Sequence, residues 1–412
     1  MNLPVRIALS LAAVFATTAD PARAQGKNIL FYGNSYTFLV WGYGVPELVE
    51  EIAIQAGQPT PTIVQALIGG SSLQVHANDP AQVAVIGSSL AGGQSWDHVV
   101  IQGNSLEATP YFGYTVPGFR SLATQIAGNV RAHSPNATAV MYQTWARAWG
   151  SSFYPTSWPE PMAMHQMVRG NYDLAVADIN ATFGAGTAQK AAVGDAVALL
   201  EWDPTWYDPD RSHPTPRMTL LAAMCIYTSI YGQNICAVDP GFAANSSLAQ
   251  LLTTHGVSEA NWNHLAGRAD RSAAPAQRRF PGSGDHALLE SAIDAEPLTA
   301  CPTKQIANGT VLDVQLRSMN GVYDAAIGWL LIDFYATGSP PGPSLQYPEL
   351  QVDVGRMIAT PPAMLSTPLA LQFQMPFALP GGSFLVQGLI GQASSETGNT
   401  VFTTTDAHEF RF

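Results

Sequence analysis

The chain is expected to form a parallel α/β domain followed by an all-β, sandwich-like domain. Three observations predict this. Between Asn28 and Tyr231, short apolar runs of strand length alternate with segments of helical spacing, the pattern of a parallel sheet covered on both faces. Beyond Thr310, short alternating runs follow one another between Gly, Pro and Asn clusters, as in a sandwich. The length, 412 residues, also exceeds what one hydrophobic core usually serves.

The amino-terminal segment reads as a processing signal. Arg6 precedes the apolar run Ile7 to Ala16, and Ala22-Arg23-Ala24 before Gln25 has the small-x-small form of a cleavage site. Residues 1–24 are therefore expected to be a signal peptide, and the mature protein to be secreted or periplasmic. No other uninterrupted apolar run of about 20 residues is present, so no membrane insertion is expected after cleavage.

With 47% hydrophobic and 12% charged residues the chain is neither disordered nor a coiled coil. A net charge of -12 and a pI near 5.1 argue against nucleic-acid binding, which needs clustered Lys and Arg to displace counterions. The three cysteines, Cys225, Cys236 and Cys301, have no metal-ligand spacing, and no metal or organic cofactor is expected. One disulfide suits an exported protein, most simply Cys225 with Cys236, although sequence leaves the pairing open.

Taken in order, Ile29 to Tyr32 is a buried strand that ends in Gly33-Asn34, with Ser35 at the turn. A serine at the carboxyl end of a parallel strand is exposed where open α/β folds place ligands, so Ser35 is a nucleophile candidate. Alone, it reads better as a turn residue. Val45 to Ala56 is helical, with Pro46 in its first turn and a stop at Gly57. Thr62 to Ile68 is a second strand, running into Gly69-Gly70, whose backbone N–H groups can face a ligand without a Cβ in the way. His76 opens a helix-like segment and is either structural or part of a pocket wall.

Trp96 to Ile101 is the third strand and leads to Gln102-Gly103-Asn104-Ser105, where Asn104 can donate to an oxyanion. Val116 to Ala132, Ala137 to Tyr142 and Met162 to Phe183 continue the alternation. The aromatic stretch from Gln143 through Trp145 and Arg147 to Trp149, Phe153, Tyr154 and Trp158 is either a substrate wall or half-buried loop packing. The decisive segment is Asp208-Pro209-Asp210-Arg211-Ser212-His213. A histidine becomes a base when a carboxylate fixes its tautomer, and Asp210 reaches His213 better than Asp208 does. Helix Met218 to Tyr231 follows.

These residues resemble the SGNH (GDSL-type) serine esterases. The four blocks are Gly33-Asn34-Ser35-Tyr36, Gly69-Gly70, Gln102-Gly103-Asn104-Ser105 and Asp210-Arg211-Ser212-His213, spanning roughly Lys27 to Gly232. Asn34 stands where the family usually has aspartate. Gln102 and Ser105 replace the first glycine and last aspartate of the third block, and the Gly33-Asn34-Ser35 block with the Gln143-Thr144-Trp145-Ala146-Arg147 stretch resembles a divergent bacterial branch. The resemblance implies a flavodoxin-like three-layer α/β/α domain. It also implies a triad of Ser35, His213 and Asp210, and an oxyanion hole from Ser35 N–H, Gly70 or Gly69 N–H and the Asn104 side chain. Gln102, Trp145 and His76 are expected to bind substrate.

The activity expected is hydrolysis of short-chain acyl esters, acetyl above all, on carbohydrate or small molecules, with long-chain lipid disfavoured because nothing reads as a lid. The alternative is a non-catalytic exported surface or carbohydrate-binding protein on a degenerate hydrolase scaffold.

The domain limits read 25–270 for the hydrolase, 271–299 for a linker and 300–412 for the β domain. A helix is expected over Ser246 to Ala266, with Ser258 as a cap. Strands are expected at Thr310–Arg317, Ala325–Tyr335, Leu350–Val354, Leu369–Phe373, Ser383–Ile390 and Thr400–Phe412, with Trp329 to Phe334 in the core.

Overall fold

The computed structural model describes residues 25–38, 43–375 and 381–412, so the expected signal peptide lies outside the described residues. Strand β1 (Asn28–Gly33) is buried along its whole length, as its apolar run requires. Helix α1 (Val45–Gln55) leads to β2 (Thr62–Leu67), then α2 (Leu73–Asn78), α3 (Pro80–Ser88) and β3 (His98–Ile101). Next come α4 (Val116–His133), β4 (Thr138–Tyr142), α5 (Pro161–Phe183), β5 (Ala188–Ala191) and α6 (Val193–Ala198). Helix α7 (Pro216–Tyr231) stops at Gly232, whose φ of 65° is the left-handed conformation that ends helices. Two more helices, α8 (Ser247–Thr254) and α9 (Glu259–Ser272), complete this part.

The five strands form one parallel sheet in the order β2-β1-β3-β4-β5. This is the flavodoxin-like order, in which β1 stands where the winding reverses. Right-handed crossovers therefore put α1 on one face and α4 on the other. Helix α1 packs with α7, which packs with α9, while α4 packs with α2 and α5. Because all strands run the same way, the loops after β1, β2, β3 and β4 emerge at one edge. That shared edge positions the site.

Helix Ser246 to Ala266 is two helices. Gly256 takes φ 70° after α8, and the Ser258 hydroxyl then caps α9 by accepting the Asn261 N–H. A further strand, β6 (Ala287–Ile293), lies inside the segment read as a linker. Six of its seven residues are buried and it pairs with the next unit, so no linker spans 271–299. The polar stretch before it hid the apolar run Ala-Leu-Leu.

The second unit continues with β7 (Thr303–Gln305), β8 (Val311–Ser318), β9 (Ile327–Ala336), β10 (Ile358–Ala359), β11 (Ala363–Met364), β12 (Leu369–Gln374), β13 (Gly382–Ile390), β14 (Thr403–Thr404) and β15 (His408–Arg411). One sheet runs β10-β9-β13-β15-β7 and the other β12-β8-β6. Leu289, Val314, Leu316, Leu330, Phe384 and Phe410 share the core between them, as a sandwich requires. The stretch Leu350 to Val354 forms no strand. The Leu350 N–H closes a turn on Tyr347 O, and side chains take two further amides, Gln351 N–H by Gln387 and Asp353 N–H by Asp333. Strand β9 is only partly core, since Phe334 is 46% exposed while Asp333 is buried against Arg356.

The two units are joined firmly. Cys236 is bonded to Cys301, not to Cys225, which is a free buried thiol. Arg268 of α9 meets Glu290 of β6 at 3.1 Å, with both groups buried. A Cβ on Gly267 would lie 2.8 Å from the Ala300 backbone, so the helix touches the second unit at a glycine.

Candidate active site

Ser35 sits one residue past β1 and Asn34, in a turn closed by the Thr37 N–H donating to Asn34 O at 2.8 Å. Its Oγ is 2.9 Å from His213 Nε2, and His213 Nδ1 is 2.5 Å from Asp210 Oδ2. The structure brings together the three side chains that the sequence singled out. Asp210 Oδ1 also accepts the N–H groups of Ser212 and His213, both at 2.9 Å. Burial alone would raise the Asp210 pKa, but the His213 ring and these two amides outweigh it and hold the carboxyl below its ordinary value. Asp208 makes no contact with the ring. Its own N–H donates to His213 O, and burial together with the Asp210 charge raises its pKa. The His213 and Asp210 side chains are 38% and 47% exposed, so the edge is open to solvent.

The loop that carries Gly69 and Gly70 is tied to the nucleophile turn, with Ile68 N–H donating to Gly33 O at 3.1 Å and Asn34 Nδ2 donating to Ser71 O at 2.9 Å. The N–H groups of Ser35, Gly69 and Gly70 donate to no acceptor among the described residues. Gly70 has φ 70°, which a side chain would strain. Asn104 Nδ2 is 3.3 Å from Gly70 O, which brings the second and third blocks together. Glu107 supports both loops: its carboxyl accepts the Leu73 N–H at 3.0 Å and the Asn104 N–H at 2.9 Å. Burial raises the Glu107 pKa, and these amides partly offset the rise.

Three residues expected to bind substrate do something else. Gln102 is fully buried. Its Oε1 accepts the Asn34 N–H and the Thr37 hydroxyl at 2.8 Å, and its Nε2 donates to Asn34 Oδ1 at 3.0 Å. It clamps the nucleophile turn, and a Cβ on Gly33 would run into the Gln102 and Thr37 side chains. Trp145 is also fully buried. It stacks on Tyr36 at 4.4 Å between centroids and donates its indole N–H to Ser212 O, which pins the His213 loop. His76 is buried between Ser71 Oγ at 2.8 Å and Gln82 Oε1 at 3.0 Å, and burial lowers its pKa. In each case the residue supports the site from behind, because the sequence gives a residue's position and not the direction its side chain faces.

Sequence reasoning missed the polar network around Tyr36. The Tyr36 hydroxyl is 2.6 Å from Ser212 Oγ and accepts from Arg147 Nη1, while Arg147 Nη2 donates to Ser105 Oγ at 2.9 Å. Of the aromatic stretch, Trp158 is buried and Trp149 is 46% exposed. Trp149 O accepts from Arg211 and Ala148 N–H donates to Arg211 O, so the backbone at Trp149 adjoins the His213 loop. A cavity of about 660 Å³ at the seam between the units contains none of the triad; of its lining charges Arg169 pairs with Asp195 and Glu396, and Arg278 with Asp406. Among the described residues no cluster of His, Cys, Asp or Glu could hold a metal.

No protein-family model and no curated protein matches this chain. Among solved structures it is similar to a protein of Slackia heliotrinireducens provisionally described as an SGNH hydrolase. That likeness has 20% identity, covers 50% of this chain and 100% of that one, and has a TM-score of 0.38. It is also similar to a DUF4886 family protein from Bacteroides uniformis, at 16% identity over 60% and 93% of the two chains, with a TM-score of 0.45. A third is Est24, a carbohydrate acetylesterase from Sinorhizobium meliloti, at 14% identity over 50% and 98%, with a TM-score of 0.34. The α/β domain has an SGNH-type fold, and its own strand order and the four blocks at one sheet edge carry that assignment.

Proposed function

We propose that this chain is an exported SGNH-type serine esterase that removes short acyl groups, acetyl foremost, from carbohydrate or small-ester substrates. The observation that carries the reading is the hydrogen-bond chain from Ser35 through His213 to Asp210. Ser35 Oγ attacks the acyl carbon while His213 Nε2 takes the hydroxyl proton, and Asp210 stabilises the imidazolium that forms. The carbonyl oxygen becomes an oxyanion held by the N–H groups of Ser35 and Gly70 and by the Asn104 amide. The bond to the alcohol oxygen then breaks, and His213 returns its proton to the leaving alcohol. Water, activated by the same histidine, releases the acid and restores Ser35.

A carbohydrate substrate is supported by the open edge and by the exposure of Trp149, a flat apolar side chain on a segment whose backbone adjoins the His213 loop. Export is supported by the amino-terminal apolar run and by the disulfide, which belongs to an oxidising compartment. The experiment that tests the reading is covalent labelling with a phosphonofluoridate, followed by intact mass and peptide mapping. The expected result is a single adduct on Ser35 that disappears in His213→Ala. A well-folded wild type that takes no adduct would sink the esterase and leave the binding-protein alternative.

A further inference from the structure

One buried charge at this edge has no counter-charge. Arg147 is 7% exposed, and its polar partners, the Tyr36 and Ser105 hydroxyls, are neutral. The guanidinium carbon lies 5.5 Å from the centre of the Phe153 ring. The other two buried arginines each face a carboxylate: Arg268 meets Glu290 at 3.1 Å, and Arg271 approaches Asp406 at 3.8 Å. Arg147 forms no ion pair among the described residues. An arginine keeps its charge in any folded protein, and a buried charge is costly unless something pairs with it. Its position indicates where that charge comes from. Tyr36 follows Ser35 and Ser105 follows Asn104, so the cation bridges the nucleophile turn and the oxyanion loop. The two hydroxyls take two of the five N–H donors of a guanidinium, leaving others free.

We propose that Arg147 recognises an anionic group on the substrate, so that the preferred ester carries a carboxylate near the scissile bond, as an acetylated uronic-acid unit does. This rests on the esterase reading above. The carboxylate is a spectator in the reaction; it pairs with the guanidinium, as arginine does with carboxylates by two parallel N–H donors. The chain's net charge of -12 repels such a substrate from afar. That repulsion is screened beyond about 8 Å at physiological salt, so the discrimination is local.

The test compares kcat/KM for an acetylated methyl glucuronoside and the matched methyl glucoside in wild type, Arg147→Met and Arg147→Lys, with phosphonate labelling of Ser35 in each. Wild type is expected to prefer the glucuronoside by about tenfold or more, the scale of a charge-assisted hydrogen bond. Arg147→Met should lose the preference, read as the ratio of kcat/KM for the two esters within that variant, and Arg147→Lys should keep part of it. If Arg147→Met does not fold, the wild-type preference must be lost when the glucuronoside carboxylate is replaced by its neutral primary amide. Equal rates on the two esters, a preference that survives Arg147→Met, or one that survives conversion of the carboxylate to the amide overturns the proposal. Failure of wild-type Ser35 to take the label is a separate result, which removes the esterase reading and this inference with it.

Discussion

Two serine–histidine pairs lie within a few residues of the same sheet edge, and their hydrogen bonds are nearly the same length. Ser35 Oγ is 2.9 Å from His213, and Ser71 Oγ is 2.8 Å from His76. The third partner separates them. His213 is backed by the carboxylate of Asp210 and is open to solvent, whereas His76 is backed by the neutral amide of Gln82 and is 1% exposed. A glutamine cannot stabilise an imidazolium as a carboxylate does, and burial lowers the His76 pKa. The second pair is a fastener: Ser71 O accepts from the Asn34 side chain, so it holds the turn that carries the first. A serine–histidine hydrogen bond is therefore not sufficient for catalysis; the charge behind the ring and the access in front of it decide.

The comparison breaks most readily at the serines. Ser35→Ala should lower kcat for 4-nitrophenyl acetate by roughly 10⁴- to 10⁶-fold, while Ser71→Ala should cost less than about tenfold. A comparable loss in both variants would mean that the two pairs act as one unit. Next in size, Asp210→Asn should reduce kcat by about 10³- to 10⁴-fold with the fold intact by circular dichroism. Gln82→Leu should instead be read in thermal unfolding, at about 1–3 kcal/mol for the polar atom left unpaired. Asn104→Ala should cut kcat by about 10²- to 10³-fold with little change in KM, if its amide meets the oxyanion.

The smallest expected effect concerns acid. Burial holds His98 down to about 4 and His165 and His408 to about 3, against 6.5 for an unburied ring. Their unfolded forms therefore gain protons first as pH falls. Their stabilising contribution is complete above pH 6.5, declines as pH falls from 6.5 towards 3 and is absent below, at no more than about 1.4 kcal/mol per pH unit for each ring. Urea unfolding at pH 7 and pH 5 measures it. Equal stability at the two values would show that these rings are open to water.

What the sequence made legible was local or periodic. Ser35, Asp210 and His213 could be read because each follows a strand or lies within three residues of its partner. The sheet could be read because its apolar runs recur. Strand β5 was missed because Ala-Gln-Lys-Ala is short and half polar. The roles of Gln102, Trp145 and His76 depend on which way a side chain faces, and Arg147 on hydroxyls 111 and 42 residues away. The disulfide joins cysteines 65 residues apart, beyond any local signal.

The join at α9 sets a limit on dissection. A gene cut after residue 270 looks like the natural way to isolate a small esterase, yet the fragment would lose both Cys301 and Glu290, leaving Cys236 as an unpaired thiol and Arg268 without its carboxylate. Asp270, whose buried carboxyl is pushed up to about 7, would become the new chain terminus beside it. The smallest piece worth expressing is the whole of residues 25–412.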